Sequence, residues 1–279
     1  MSIDTESRVV TVIKPSSKWG LPSLREVWRY KDLLYFLVWR DVKVRYKQTL
    51  LGAAWAVIQP FFTMVVFSIF FGRFAKVPTD GLPYPIFAYS ALIPWHYFAN
   101  ALSQSGESLV KEQRLITKVY FPRLIVPLAP MFSGLVDFAI AFSLLIAMMI
   151  WYNLKPTIGV LALPLWIILA MITALVVGIW FSALNVRYRD VRYTIPFLTQ
   201  LWLFSTPIAY SSSIVPERWR TLYGLNPMAG VVEGFRWGLL GKKPPSIHMV
   251  MISAGMVVFL LIAGLIYFRR TERTFADIV

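Results

Sequence analysis

LIVPLAPMFSGLVDFAIAFSLLIAMMIWYNL, Leu124 to Leu154, carries one charged side chain, Asp137. A helix needs roughly 20 apolar residues to cross a hydrocarbon layer about 30 Å thick. The stretch is therefore long enough to span a membrane and too apolar for the core of a water-soluble domain. Outward in both directions the pattern recurs. Residues 48–72, 81–106, 156–186, 193–216 and 244–268 contain no Lys, Arg, Asp or Glu. Backbone groups in lipid must bond within their own segment. The expectation is an all-α polytopic membrane protein with six transmembrane helices.

Composition agrees. Of the 279 residues, 57% are hydrophobic and 15% charged, outside the range of soluble globular domains. With no Cys, disulfides, thiolate nucleophiles and Cys-ligated metals drop out. Residues 1–22 are polar and lack the apolar centre of a cleavable signal peptide, so they are expected to stay as an N-terminal tail.

Six spans put both termini on one side, and 20 of the 28 Lys and Arg lie in the termini and the two connections on that side. Basic residues accumulate on the cytoplasmic face, so both termini are expected there. The formal charge of +14 is thus a topology signal and a contact for anionic lipid. Nucleic-acid binding is not expected, because no soluble basic domain is present.

Four parts outside the spans carry information. Residues 23–47, SLREVWRYKDLLYFLVWRDVKVRYK, place Leu24, Val27, Trp28, Leu34, Tyr35, Val38, Trp39, Val42 and Tyr46 on one face of a helix, and Arg25, Arg29, Asp32, Arg40, Lys43 and Lys47 on another. This predicts an amphipathic helix in the membrane interface, serving as an anchor, a docking site or both. Residues 105–123 offer Ser105 or Ser108 as a cap, a short amphipathic run and Pro122 as a stop, which describes either a protruding helix or an ordinary positive loop. In Asn185–Thr194, Arg187, Arg189 and Arg192 alternate around Asp190 and suit phosphate head groups and internal pairing. Residues 211–246 are too apolar for a solvated loop. Pro216 and Asn226-Pro227 predict two short re-entrant helices, stopped at Gly224 and Gly241, with Glu233 and Arg236 spaced to pair. These form a lid on a pathway or packing.

Chemistry is sparse. His96 and His248 are isolated, no metal-binding or paired-carboxylate pattern is present, and GLLGKK, Gly238 to Lys243, lacks the first Gly and final Ser or Thr of a phosphate loop. The chain is not expected to be an enzyme or to hold a metal or cofactor. Asp137, the acid inside a span, must face the bundle interior, a water path or a partner helix, as a structural bond or as part of a pathway. Pro94–Asn100 and Phe204–Tyr210 mix aromatic and polar groups that suit sugar faces or interfacial belts.

The order of parts resembles a known family. The amphipathic segment, then YKQTLLGAAWAVIQPFFTMVVFSIFFG, LITKVYFPR, LNVRYRDVRYT, FSTPIAY and LNPMAGVVEGFR are similar to the permease of ABC-2-type polysaccharide exporters, which move O-antigen, capsule and teichoic-acid polymers. The resemblance runs from about residue 25 to the C-terminus. It implies a homodimer with two copies of a separate ATP-binding-cassette ATPase, which holds the ATP and Mg. It implies a 48–268 transmembrane domain and a 269–279 cytoplasmic tail in the inner membrane, with a lipid-linked polysaccharide as substrate. Within 105–123 a coupling helix would meet the ATPase through Leu109, Glu112, Arg114, Leu115, Lys118 and Tyr120. Leu51 and Gly52, with Lys43, Arg45 and Lys47 beside them, would admit a lipid-diphosphate head group; a helix N-terminus with basic neighbours suits phosphate. Trp219, Tyr223, Asn226, Pro227, Glu233 and Arg236 would belong to an external gate. A permease for a drug or another lipid is the alternative.

Overall fold

The computed structural model describes residues 24–47, 52–216, 219, 222–242, 244–272 and 275. Leu51, the 1–22 tail and residues 217, 218, 220 and 221 of the first short external helix expected after Pro216 lie outside the described residues.

Ten α-helices are used here: α1 Leu24–Arg29, α2 Lys31–Lys47, α3 Gly52–Phe67, α4 Tyr84–Lys111, α5 Gln113–Lys118, α6 Ile125–Trp151, α7 Leu163–Arg187, α8 Val191–Ser205, α9 Pro227–Leu240 and α10 Ile247–Glu272. A π-helical turn, Ser68–Phe74, extends α3, and a 3₁₀ turn, Ile158–Ala162, leads into α7. The described residues are helical and contain no strand, as the sequence requires.

Four helices are long and apolar enough to cross a membrane: Gly52–Phe74, Ile125–Trp151, Ile158–Arg187 and Ile247–Glu272. The other two expected spans differ for separate reasons. Helix α4 has ample length at 28 residues, but it is more polar and buried on nearly every side, with Tyr89, Leu92, Phe98 and Leu102 sealed. It is the central post, packed on α6 and α7. Its closest approach to α7 needs a glycine, because a Cβ at Gly178 would stand 2.5 Å from Ser105 Oγ. Helix α8 stops at Ser205 after 15 residues, about 22 Å at 1.5 Å per residue. Thr206 precedes Pro207 and is extended, at φ −97° and ψ 140°, the conformation a following proline imposes. The expected 193–216 span is therefore a shorter helix and an irregular return.

The core has two parts. The larger, around α4, α6, α7 and α9, includes Trp95, Trp166 and Phe235. The smaller gathers Leu37 of α2, Leu109 of α4, Ile116 of α5, Ile125 of α6, Val186 of α7, and Phe268 and Phe275 at the chain's far end. Every element expected to face a partner protein thus meets at one end of the bundle.

Candidate functional site

Helix α2 lies along α6 and presents two apolar faces. Leu37 is sealed against the smaller core, with Val27, Leu33, Leu34 and Val38 beside it. Tyr35, Phe36 and Trp39 are exposed on other sides, as is Trp28 of α1. The helical-wheel grouping is corrected here, because it placed the exposed aromatics with the packed Leu34 and Val38 and left out Leu37. Wide aromatic rings on the outside suit an interface with lipid or protein.

Two arginines of α2 turn inward. Arg40 closes a bidentate pair on Glu112, Nη1 to Oε2 at 3.0 Å and Nη2 to Oε1 at 2.5 Å, and its Nη2 also reaches Asp41 Oδ1 at 2.9 Å. The Glu112 bond is the main cause of an Arg40 pKa above its ordinary value. One turn further, Arg45 pairs with Asp137 of α6 and donates to Gln104 Oε1 at 2.7 Å, while the Tyr46 hydroxyl donates to the other Asp137 oxygen. Asp137 thus faces the protein interior, one of the placements the sequence allows, and its partners come from α2.

These groups border a cavity of about 280 Å³ lined by Gly52, Trp55 and Gln59 of α3, by His96, Tyr97, Asn100 and Gln104 of α4, and by Asp137 and Phe138 of α6. His96 keeps Nε2 buried without a hydrogen-bond partner among the described residues. The three basic residues expected beside Gly52 do not converge. Lys43 lies 4.1 Å from the Trp39 ring centroid, and Lys47 is exposed. Only Arg45 reaches the cavity, because the helical period turns positions 43 and 47 away from position 45.

The expected coupling residues divide by burial. Ser105 and Ser108 do not cap a new helix; both are buried inside α4, which runs on to Lys111. Ser105 Oγ donates to Pro127 O at 3.0 Å, a carbonyl of α6. Leu109 is sealed in the smaller core, and Glu112, facing Arg40, forms the joint between α4 and α5. Neither offers itself to a partner. Leu115 is half-buried, whereas Arg114, Lys118 and Tyr120 are exposed. Behind them Arg123 donates to the Glu272 carbonyl, and Phe275 packs edge-on against Phe268 at 5.4 Å. The end of α10 therefore braces the return from α5 into α6. In the turn after α7, Arg192 lies on Tyr193 and Arg187 on Tyr188, at 4.6 and 5.4 Å. Stacking replaces the pairing with Asp190 expected from the sequence.

At the opposite end Asn226 caps α9, its Oδ1 accepting from Met228 N at 3.1 Å, with Pro227 in the first turn. Gly241, at φ +69°, ends the helix in the left-handed conformation that glycine adopts without strain. The expected start and stop are met. Asn226 also accepts from Trp202 Nε1 at 2.8 Å and donates to Thr206 Oγ1 at 3.0 Å, tying α9 to the end of α8. Trp219 is half-exposed, and Tyr223 shares a hydrogen bond with Tyr210.

Arg236 does more than the local pairing with Glu233 that the spacing suggests. Its guanidinium is buried, donates to Pro207 O at 2.5 Å and Ile208 O at 2.8 Å, and lies 3.6 Å from the Phe87 ring centroid. Glu233 and Arg236 line a second cavity, of about 560 Å³, with Asp80, Ser211, Tyr223 and Lys242. There Ser211 Oγ donates to Asp80 Oδ2 at 2.6 Å, and Lys242 donates to the Asp80 carbonyl.

The arrangement is a helical membrane body with a cavity between α2, α3, α4 and α6 that carries several polar side chains, and with the short helix α5 near the same end. The ABC-2 type transporter family matches residues 32–240. The chain belongs to that family. As a permease it is 28% identical over 257 residues to the O-antigen export system permease protein RfbA of Myxococcus xanthus, covering 91% of this chain and 98% of that one. It is also 28% identical to RfbA of Klebsiella pneumoniae, over 89% of this chain and 95% of that one. Similarity extends to the polysialic acid transport protein KpsM of Escherichia coli, 22% identical over 84% of this permease and 91% of the relative. The permease is thus homologous to O-antigen and polysaccharide export permeases. Its family implies an ABC transporter with an ATPase partner.

Sequence reasoning missed the Arg45–Asp137 and Arg40–Glu112 links, the acceptor Gln104 and the brace from Glu272. A partial signal existed. A lone acid in an apolar run implies a basic partner, but sequence spacing cannot choose which of the 28 cations supplies it.

Proposed function

We propose that this permease moves a polyprenyl-diphosphate-linked polysaccharide from the cytoplasm to the outer face of the inner membrane, driven by ATP hydrolysis on a partner chain. The observation that carries the reading is the cavity between α2, α3, α4 and α6, where the membrane-crossing part of α3 begins at Gly52 and Arg45 stands on the rim. A guanidinium binds phosphate in a two-point, charge-assisted geometry. Trp55 and the amides Gln59, Asn100 and Gln104 on the same walls suit sugar hydroxyls and ring faces. The names of the polysaccharide-exporting relatives support the same substrate class.

In this reading the end carrying α2 and α5 is cytoplasmic, as are both termini. Arg114, Lys118 and Tyr120 meet one of two ATPase copies. Two copies of the permease enclose the polymer path, using apolar surface that α3 and α8 leave exposed, including Phe62, Val66, Phe197 and Leu201. The cavity around Asp80 and Lys242 is the external outlet.

Deleting the gene tests the reading. Surface polysaccharide should vanish while diphosphate-linked glycan accumulates inside the membrane, and the intact gene should reverse both. Normal surface glycan with altered resistance to apolar drugs would support a drug or lipid permease instead.

A further inference from the structure

The Asp137 carboxylate sits where an anionic ligand of Arg45 would sit. One oxygen takes the Arg45 guanidinium, the other takes the Tyr46 hydroxyl, and Gln104 holds the guanidinium from the side at 2.7 Å. A cation and a neutral hydroxyl form a donor set that can clasp a phosphate as readily as a carboxylate. The pair is not sealed, with side-chain exposures of 25% for Arg45 and 21% for Asp137, and it borders the cavity. It is also a main polar tie between the end of α2 and α6, while Arg40 one turn earlier grips Glu112 at the base of α5.

We propose that Asp137 is a resident competitor for Arg45, displaced by the diphosphate of an incoming substrate. This rests on the head-group reading above. The phosphate takes both the guanidinium and the Tyr46 hydroxyl, the two donors that α2 gives Asp137, and the end of α2 comes off α6. Helix α2 then shifts, and the Arg40–Glu112 pair carries that shift to α5. Occupancy of the cavity is thereby reported to the ATPase without any contact between substrate and ATPase.

The test uses the permease with its ATPase in lipid nanodiscs, titrated with farnesyl diphosphate, inorganic pyrophosphate or farnesol. Asp137→Asn keeps the shape and the acceptor for Tyr46 but removes the competing charge. Its half-stimulating concentration of farnesyl diphosphate should fall by roughly 1.5-fold to fivefold, the scale set by one partly exposed ion pair. A matching fall for pyrophosphate means that free diphosphate suffices; a fall for farnesyl diphosphate alone means that the membrane delivers it. Both agree with displacement, whereas an equal response to farnesol overturns it. If Arg45→Gln leaves stimulation intact, the head-group reading itself fails. If Arg45→Gln abolishes stimulation while Asp137→Asn leaves the midpoint unchanged or raises it, only the competitor role fails.

A second measurement leaves residues 45 and 137 native. The chain contains no Cys, so spin labels at Val44→Cys and Ser143→Cys, both exposed, report the distance from α2 to α6. Saturating farnesyl diphosphate should lengthen or broaden the distance distribution. An unchanged distribution, with stimulation present, overturns the displacement.

Discussion

Arg40 and Glu112 are 72 positions apart and form a two-point ion pair at 3.0 and 2.5 Å, joining α2 to the joint between α4 and α5. Side-chain exposures of 33% and 16% leave the pair partly hydrated, so it contributes on the order of 1–2 kcal/mol. While the pair holds, a rotation of helix α2 is passed to the base of α5.

Arg40→Ala and Glu112→Gln should therefore lower export and substrate-stimulated ATP hydrolysis severalfold while the assembled complex remains abundant. The exchanged pair, Arg40→Glu with Glu112→Arg, should recover part of the loss. Measured export of the three variants decides this; an exchanged pair no better than either single variant would show that each residue acts alone.

Arg114 and Lys118 are exposed on α5, whereas Leu109 is sealed beneath it. Arg114→Glu with Lys118→Glu should weaken capture of the ATPase on affinity resin and leave the thermal stability of the permease unchanged. Leu109→Ala should do the reverse, costing about 2–5 kcal/mol of stability through the cavity it leaves. Equal loss of stability in both would place the charged residues in the core too.

Arg236 supplies hydrogen bonds to the carbonyls of Pro207 and Ile208 in the irregular return after α8. Arg236→Met should cost about 1–3 kcal/mol for each carbonyl left without its donor. Arg236→Lys should recover little, since a single ammonium cannot match the fork of a guanidinium. Folded yield and melting temperature in detergent report this; a stable Arg236→Met protein would mean that water replaces the guanidinium there.

Helical class, the membrane setting and the limits of α9 are legible in the sequence because each follows from local rules. Long uncharged runs require helices in lipid. Asn226-Pro227 and Gly241 carry start and stop chemistry that needs no tertiary partner. The end of α8 was missed because an uninterrupted apolar run hid the effect of Pro207 on Thr206. In α2 a helical wheel sorts apolar from polar residues but does not say which apolar flank packs. Leu37 won over Tyr35 and Trp39 because the floor formed by Leu109 and Ile125 lies on its side.

The candidate site was legible only in outline. Charge near Gly52 suggested phosphate, and the lone Asp137 suggested a buried partner, yet nothing local joined the two. That connection depends on α2 lying along α6, which places Arg45 and Asp137 in contact across 92 positions. The surroundings of Arg236 were hidden for a related reason. An i,i+3 spacing to Glu233 is a local signal, whereas burial against Phe87, Pro207 and Ile208 is set by distant segments.

The proposed function has ATP hydrolysis by a partner chain drive a diphosphate-linked glycan through this permease. The most direct measurement is ATP-dependent movement of a fluorescent polyprenyl-diphosphate glycan across proteoliposomes holding the permease and its ATPase, followed by quenching from outside. The account predicts that the glycan changes leaflet only with ATP and both chains present, and that Arg45→Gln slows it at least severalfold. Equal movement of the same prenyl lipid lacking the diphosphate, or full movement through Arg45→Gln, would contradict it.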